Sequence, residues 1–155
     1  MKKLTLKGIT IVLLLFVSFT KLSAQESNSA LFNGAWELTR LATNGSESRV
    51  AIPGLLKFFD ADGKFFNMRI TQNGSIITHQ GNYVINDNET YSEIIKSETQ
   101  GATYALAGKT YKLRYKFSDD KKLLVLNGMV EGKDGAESLG FTEVWKRVEN
   151  KIDSI

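Results

Sequence analysis

The sequence predicts an all-β fold, an eight-stranded antiparallel up-and-down barrel. Three observations carry that expectation. From Gly34 onward apolar and polar residues alternate with period two, turn-forming pairs recur at short intervals, and no amphipathic helical pattern exceeds two turns. Strands joined in meander order by hairpins close naturally into a barrel, whereas an open sheet of that size leaves two edges to protect.

The first strand is expected at Ala35 to Leu41, with Trp36, Leu38 and Arg40 on one face and Glu37 and Thr39 on the other. Asn44-Gly45-Ser46 begins a loop that runs to Pro53, the only proline. Leu55 to Phe59 and Lys64 to Thr71 flank Asp60-Ala61-Asp62-Gly63, a tight hairpin with Gly63 at a positive φ. Asn73-Gly74 is a second hairpin signal leading into Ile76 to Ile85, and Asn86-Asp87-Asn88 separates that strand from Thr90 to Ser97. The small-residue segment Glu98 to Gly108 is expected as a loop. Thr110 to Phe117 alternates strictly, and Leu123 to Val130 and Leu139 to Val148 complete the set.

Residues 1–24 stand apart from this pattern. Lys2, Lys3 and Lys7 precede the nearly unbroken apolar run Ile9 to Phe19, and Leu22-Ser23-Ala24 offers a small residue before Gln25. This is the pattern of a secretory signal peptide, its apolar run being shorter than the roughly 20 residues that span a bilayer. The expected organisation is a signal peptide at 1–24, a disordered polar leader at 25–31, the barrel at 32–148 and a polar tail at 149–155. The mature protein is then expected to be exported, periplasmic or secreted, and soluble. A membrane barrel has a similar strand count, but here several strands are apolar on both faces in places and the chain ends on a polar segment.

The charge balance changes with that segment. The whole chain has 20 basic and 17 acidic residues, and Lys2, Lys3, Lys7 and Lys21 lie in a segment without acids, which leaves 16 basic against 17 acidic. No basic face remains to favour nucleic acid or an anionic membrane. The absence of cysteine excludes disulfides and thiolate metal sites.

If Trp36 points inward, the pleat places Leu38 and Arg40 inside with it, and Phe141, Glu143, Trp145 and Arg147 inside on the last strand. Gly34 leaves room for the chain to turn under the barrel, and Arg147 is placed to lie on the Trp36 indole. Keeping charges outward on the middle strands turns Phe66, Met68 and Ile70 inward, then Ile77, His79, Tyr83 and Ile85, then Tyr91, Glu93 and Ile95, then Tyr111, Leu113, Tyr115 and Phe117. The interior is thus mainly aromatic, with Glu93 and Glu143 inside and Arg40 and Arg147 as the cations available to pair with them. Alternatively the two glutamates meet a ligand, in company with Tyr111, Tyr115 and His79.

His79, the only histidine, has no carboxylates around it at ligand spacing, so it reads as a hydrogen-bonded barrel residue, and neither a metal nor a cofactor is expected. No Gly-x-Ser-x-Gly elbow is present, and Asp60-x-Asp62-Gly63 lacks the remaining ligands of a calcium loop. Gly34-Ala35-Trp36-Glu37-Leu38, Gly81-Asn82-Tyr83, Thr90-Tyr91-Ser92-Glu93 and Glu143-Val144-Trp145-Lys146-Arg147-Val148 together give a resemblance. Over Phe32 to Val148 the chain resembles the lipocalin-like branch of the calycin barrels, and most of all a small secreted lipocalin-like family of unknown function found in Bacteroidetes. The resemblance implies the fold and a container. The Thr-Asp-Tyr motif and disulfide of true lipocalins are absent.

The expected function is an exported, non-catalytic barrel that binds a small apolar or aromatic molecule in its lumen. Phe66, Met68, His79, Tyr83, Tyr91, Glu93, Tyr111 and Tyr115 are the expected ligand contacts, and Gly34, Trp36, Arg40, Glu143, Trp145 and Arg147 the expected closure of one barrel end. The alternatives are a structural or interaction barrel with a packed lumen, contacting a partner through Thr43 to Pro53 and Glu98 to Gly108, and an enzyme using Glu93, Glu143 and His79.

Overall fold

The computed structural model describes residues 28–99, 106–132 and 137–149. The expected signal peptide, the start of the leader, most of the Glu98 to Gly108 loop and the end of the tail lie outside these residues. The strands are β1 (Gly34–Thr43), β2 (Arg49–Val50), β3 (Leu55–Phe59), β4 (Lys64–Thr71), β5 (Gly74–Ile85), β6 (Thr90–Glu98), β7 (Thr110–Phe117), β8 (Leu123–Val130) and β9 (Leu139–Arg147). Each pairs antiparallel with its neighbour, and β1 also pairs with β9. Eight strands therefore close into an up-and-down barrel, as expected. The two-residue β2 is an addition on β1, too short and too exposed to leave a period-two signal.

The hairpins follow local chemistry. The Asp60 carboxylate accepts the backbone N–H groups of Asp62 and Lys64, and Gly63 sits at φ 75°, where a Cβ is disfavoured.

Bulges redirect the pleat in three places. Leu38 pairs with Trp145 and Arg40 with Val144, so Thr39 is an extra residue in β1. Trp36 and Leu38 point inward as expected, but beyond the bulge Leu41 and Thr43 take the inner face. Arg40 is turned out, where its guanidinium donates to the Ser48 hydroxyl and carbonyl. Thr78 is the extra residue in β5 and Lys96 in β6. His79, Tyr83 and Ile85 remain inside, while Ile77 is 46% exposed rather than inward.

On β4 the expected face is inverted. Phe65 and Asn67 point in, Phe66 stacks on Phe58 outside with ring centroids 4.4 Å apart, Met68 is half-buried and Ile70 is exposed. The ladder explains this: Asn67 lies opposite Lys57 and Phe65 opposite Phe59, and β3 turns Lys57 inward. Keeping charges out selects the wrong face here because Lys57 has a buried partner.

One end of the barrel is closed by aromatic packing. Residues 28–32, which join the end of the expected leader to the first barrel residue, form a helical turn that inserts Phe32 among Phe59, Tyr83, Tyr91, Tyr115 and Phe117 at centroid distances of 4.9 to 5.9 Å. Trp36 lies at the rim of this plug and donates its indole N–H to the Phe32 carbonyl at 2.8 Å. The Arg147 guanidinium lies 4.1 Å from the Trp36 ring centroid and donates to the carbonyls of Asn33 and Leu31. Gly34, at φ 121°, passes so close that an added Cβ would meet Arg147 Nη1 at 3.2 Å.

Gly81 marks the tightest approach between strands. A Cβ there would lie 1.9 Å from the backbone oxygen of Ile94. Backbone cannot rotate away as a side-chain tip can, so Gly81→Ala is expected to force β5 and β6 apart and to cost about 3 kcal/mol, read as a lower urea midpoint.

Candidate functional site

Beyond the aromatic plug the lumen opens into a cavity of about 220 Å³. Its two walls differ. Lys57 on β3, Asn67 on β4, His79 on β5 and Glu93 on β6 form a polar wall, with Glu143 from β9. The facing wall is apolar and includes Leu41, Leu106, Leu113, Val130, Leu139 and Phe141.

The polar wall is held by an ion pair. Lys57 Nζ lies 2.5 Å from Glu93 Oε1, both residues being under 5% exposed, and the Tyr91 hydroxyl donates to the same oxygen at 2.7 Å. The rings of Phe59, Phe65 and Trp145 surround the ammonium at 5.4 to 5.7 Å from their centroids. Burying two charges is costly, and the pair persists because each is met by opposite charge and further contacts. Burial and the Glu93 charge push the Tyr91 phenol well above its ordinary range, so it stays a donor.

The remaining polar groups are less fully occupied. Glu143 accepts the indole N–H of Trp145 at 2.9 Å, and burial raises its carboxyl pKa against the opposing pull of Lys57. His79 Nδ1 meets the Thr78 hydroxyl at 3.2 Å. Burial, then the Lys57 charge, lowers its pKa to about 4. Asn67 Oδ1 and the Tyr111 hydroxyl are buried without a hydrogen-bond partner among the described residues. Such groups are uncommon and costly, and here both belong to residues that line the cavity.

Of the expected ligand contacts, His79, Glu93 and Tyr111 line this cavity. Tyr83, Tyr91 and Tyr115 do not; they pack in the plug, with hydroxyls donated to Asp60 O, Glu93 and Asp87 O. Phe66 and Met68 also lie off the cavity, on the inverted strand. The expected neutralisation of Glu93 and Glu143 by Arg40 and Arg147 is corrected. Arg40 faces out beyond the Thr39 bulge, Arg147 binds main-chain carbonyls at the closed end, and Lys57 holds Glu93. Lys57 and Asn67 are the residues missed from sequence. Their signal was Leu55-x-Lys57-x-Phe59, a lysine in register with two apolar positions, read beside a buried glutamate that needs a cation.

Acid should destabilise the protein through His79. Its pKa is 6.5 in an unperturbed histidine and about 4 when folded, so as pH falls the unfolded chain takes up the proton first. The stabilising effect is fully present above pH 6.5 and is lost progressively toward pH 4, on the order of 3 kcal/mol in total. Glu143, raised on folding, acts in the opposite sense: its contribution is present below its ordinary value of 4.5 and is lost as pH rises through its folded value. Urea midpoints measured from pH 7 to pH 4 should fall in the native protein and fall much less in His79→Gln.

Among solved structures, the solution NMR structure of lipocalin 12 from rat epididymis is similar, with 13% identity, 77% of this chain and 67% of that chain covered, and a TM-score of 0.46. A search of curated proteins returns no match. A family model described as "Domain of unknown function (DUF4488)" matches residues 31–154, which include every strand of the barrel and all the cavity residues, and the chain belongs to that family.

Proposed function

We propose that this protein is an exported, non-catalytic barrel that binds one small, mainly apolar or aromatic molecule carrying a neutral hydrogen-bonding group. The observation that carries this reading is the cavity of about 220 Å³, with an apolar wall facing a polar one on which Asn67 Oδ1 and the Tyr111 hydroxyl lack partners among the described residues. A ligand hydroxyl, amide or ring N–H would satisfy Asn67 while its apolar body covers Leu113 and Phe141. The volume limits the enclosed part of the ligand to something smaller than a typical drug-sized molecule, whose pockets run from about 300 Å³. Support for a non-catalytic role is the engagement of the carboxylates: Glu93 is held by Lys57 and Tyr91, and Glu143 by Trp145. Export rests on the signal-peptide pattern of residues 1–24.

Native mass spectrometry of protein recovered from its own exporting cell tests the proposal. The expected result is an N-terminus at Gln25 and a retained mass that is released on unfolding. Asn67→Leu should weaken capture of that molecule about fivefold to tenfold, the effect of one lost hydrogen bond to a buried acceptor. Protein that is always empty would instead favour a packed barrel acting through its outer surface.

A further inference from the structure

The period-two pattern Leu55-x-Lys57-x-Phe59 places a primary amine on the inner face of β3. An ammonium carries three N–H donors. Among the described residues its one hydrogen-bond acceptor is Glu93 Oε1, at 2.5 Å, and the rings of Phe59, Phe65 and Trp145 stand around it. None of those three rings lines the cavity, whereas Lys57, Glu93 and Glu143 all do. The side chains of Lys57 and Glu93 are only 3% and 6% exposed, so the cavity is the side from which a small molecule reaches the pair.

A lysine attacks a carbonyl carbon only after giving up a proton, so imine formation needs a base in contact with the amine. Glu93 is in contact. Water must also be kept away, because an imine in open solvent hydrolyses, and both groups are buried. The Glu143 carboxyl, which burial makes a weaker acid, is a second proton carrier on the same wall. His79, with a pKa of about 4, adds no competing cation near neutral pH.

We infer that Lys57 captures a small aldehyde from the cavity as a protonated imine, with Glu93 as its counter-ion. This rests on the cavity reading above and adds a reacting group to it. The lysine nitrogen bonds to the carbonyl carbon, and the carbon–oxygen bond breaks. Two of the three ammonium protons leave with that oxygen as water, relayed by Glu93 and Glu143, and the third stays on the iminium nitrogen. No oxidant or reductant is consumed. One cation lies beside one carboxylate before and after, so the product asks for no new compensation of buried charge, and the same three rings face a cation in both states. The apolar wall at Leu113 and Phe141 is left to cover the body of the aldehyde.

Incubation of the full mature chain with benzaldehyde and cyanoborohydride, which fixes an imine as a secondary amine, tests this. Peptide mass spectrometry should find Lys57 benzylated about tenfold faster than the exposed Lys96, Lys112 and Lys116, because the cavity holds the aldehyde beside an amine that has its base in place. Benzyl alcohol has the same ring and no carbonyl. It should bind reversibly by titration calorimetry, and in excess it should slow labelling of Lys57 while leaving the exposed lysines unchanged. If benzyl alcohol does not bind, the cavity reading falls and covalent capture with it. If it binds but Lys57 is labelled no faster than the exposed lysines, or is not protected by the alcohol, covalent capture is overturned and the cavity reading stands.

Discussion

Lys57→Met should destabilise the protein by about 3 to 5 kcal/mol, the usual consequence of stripping one partner from a buried ion pair. Glu93 would keep its hydrogen bond from Tyr91 but lose the Lys57 cation, at a position 4% exposed and on the same cavity wall as the Glu143 carboxyl. The apolar side of lysine does not account for the loss, because methionine has similar length and would pack against the same rings of Phe59, Phe65 and Trp145. The double variant Lys57→Met/Glu93→Leu separates the two effects. With both charges removed, a well-packed apolar pair is expected to recover most of the stability, leaving the Tyr91 hydroxyl as the group without its acceptor. Urea midpoints of the native protein, the single and the double variant measure this. A single variant as stable as the native protein would mean that Glu93 finds another partner or takes up a proton at little cost.

Trp36→Ala should be comparably severe, about 3 to 5 kcal/mol, because the side chain is fully buried and three other groups depend on it. Arg147 loses the ring it lies on, the Phe32 carbonyl loses its donor, and Phe117 loses an aromatic neighbour at 5.8 Å. The effect should reach residues 28–32, which are placed by that carbonyl and by the Arg147 bonds to Leu31 and Asn33. Trp36→Phe retains the ring contact and removes the indole N–H, so about 1 kcal/mol is expected, in line with one hydrogen bond. Amide hydrogen exchange at residues 31–33 distinguishes the two outcomes: it should rise sharply in Trp36→Ala and modestly in Trp36→Phe. Equal losses would place the whole effect on the hydrogen bond and none on the ring.

Both predictions concern groups that the sequence displays unequally. Trp36, Arg147 and the alternation of β7 are legible because each depends on local periodicity: Tyr111, Leu113 and Tyr115 are buried and Lys112, Arg114 and Lys116 exposed, as a strand with one wet face requires. The strand boundaries follow from turn chemistry for the same reason. Asp60 caps its own hairpin through bonds to residues two and four positions away, so no distant partner is needed to recognise it.

What the chain alone determined, then, is an all-β barrel with an aromatic interior and Glu93 on its inner face. Only the tertiary structure decided how that interior is divided between plug and cavity. The bulges at Thr39, Thr78 and Lys96 each insert one residue, and one residue exchanges the inner and outer faces of everything beyond it, which is how Arg40 leaves the lumen and Leu41 joins it. Lys57 turns inward because a carboxylate 36 positions away in the chain is there to receive it. An isolated charge belongs in water and a paired one can be buried, so the side on which a lysine falls depends on a neighbour that only folding supplies.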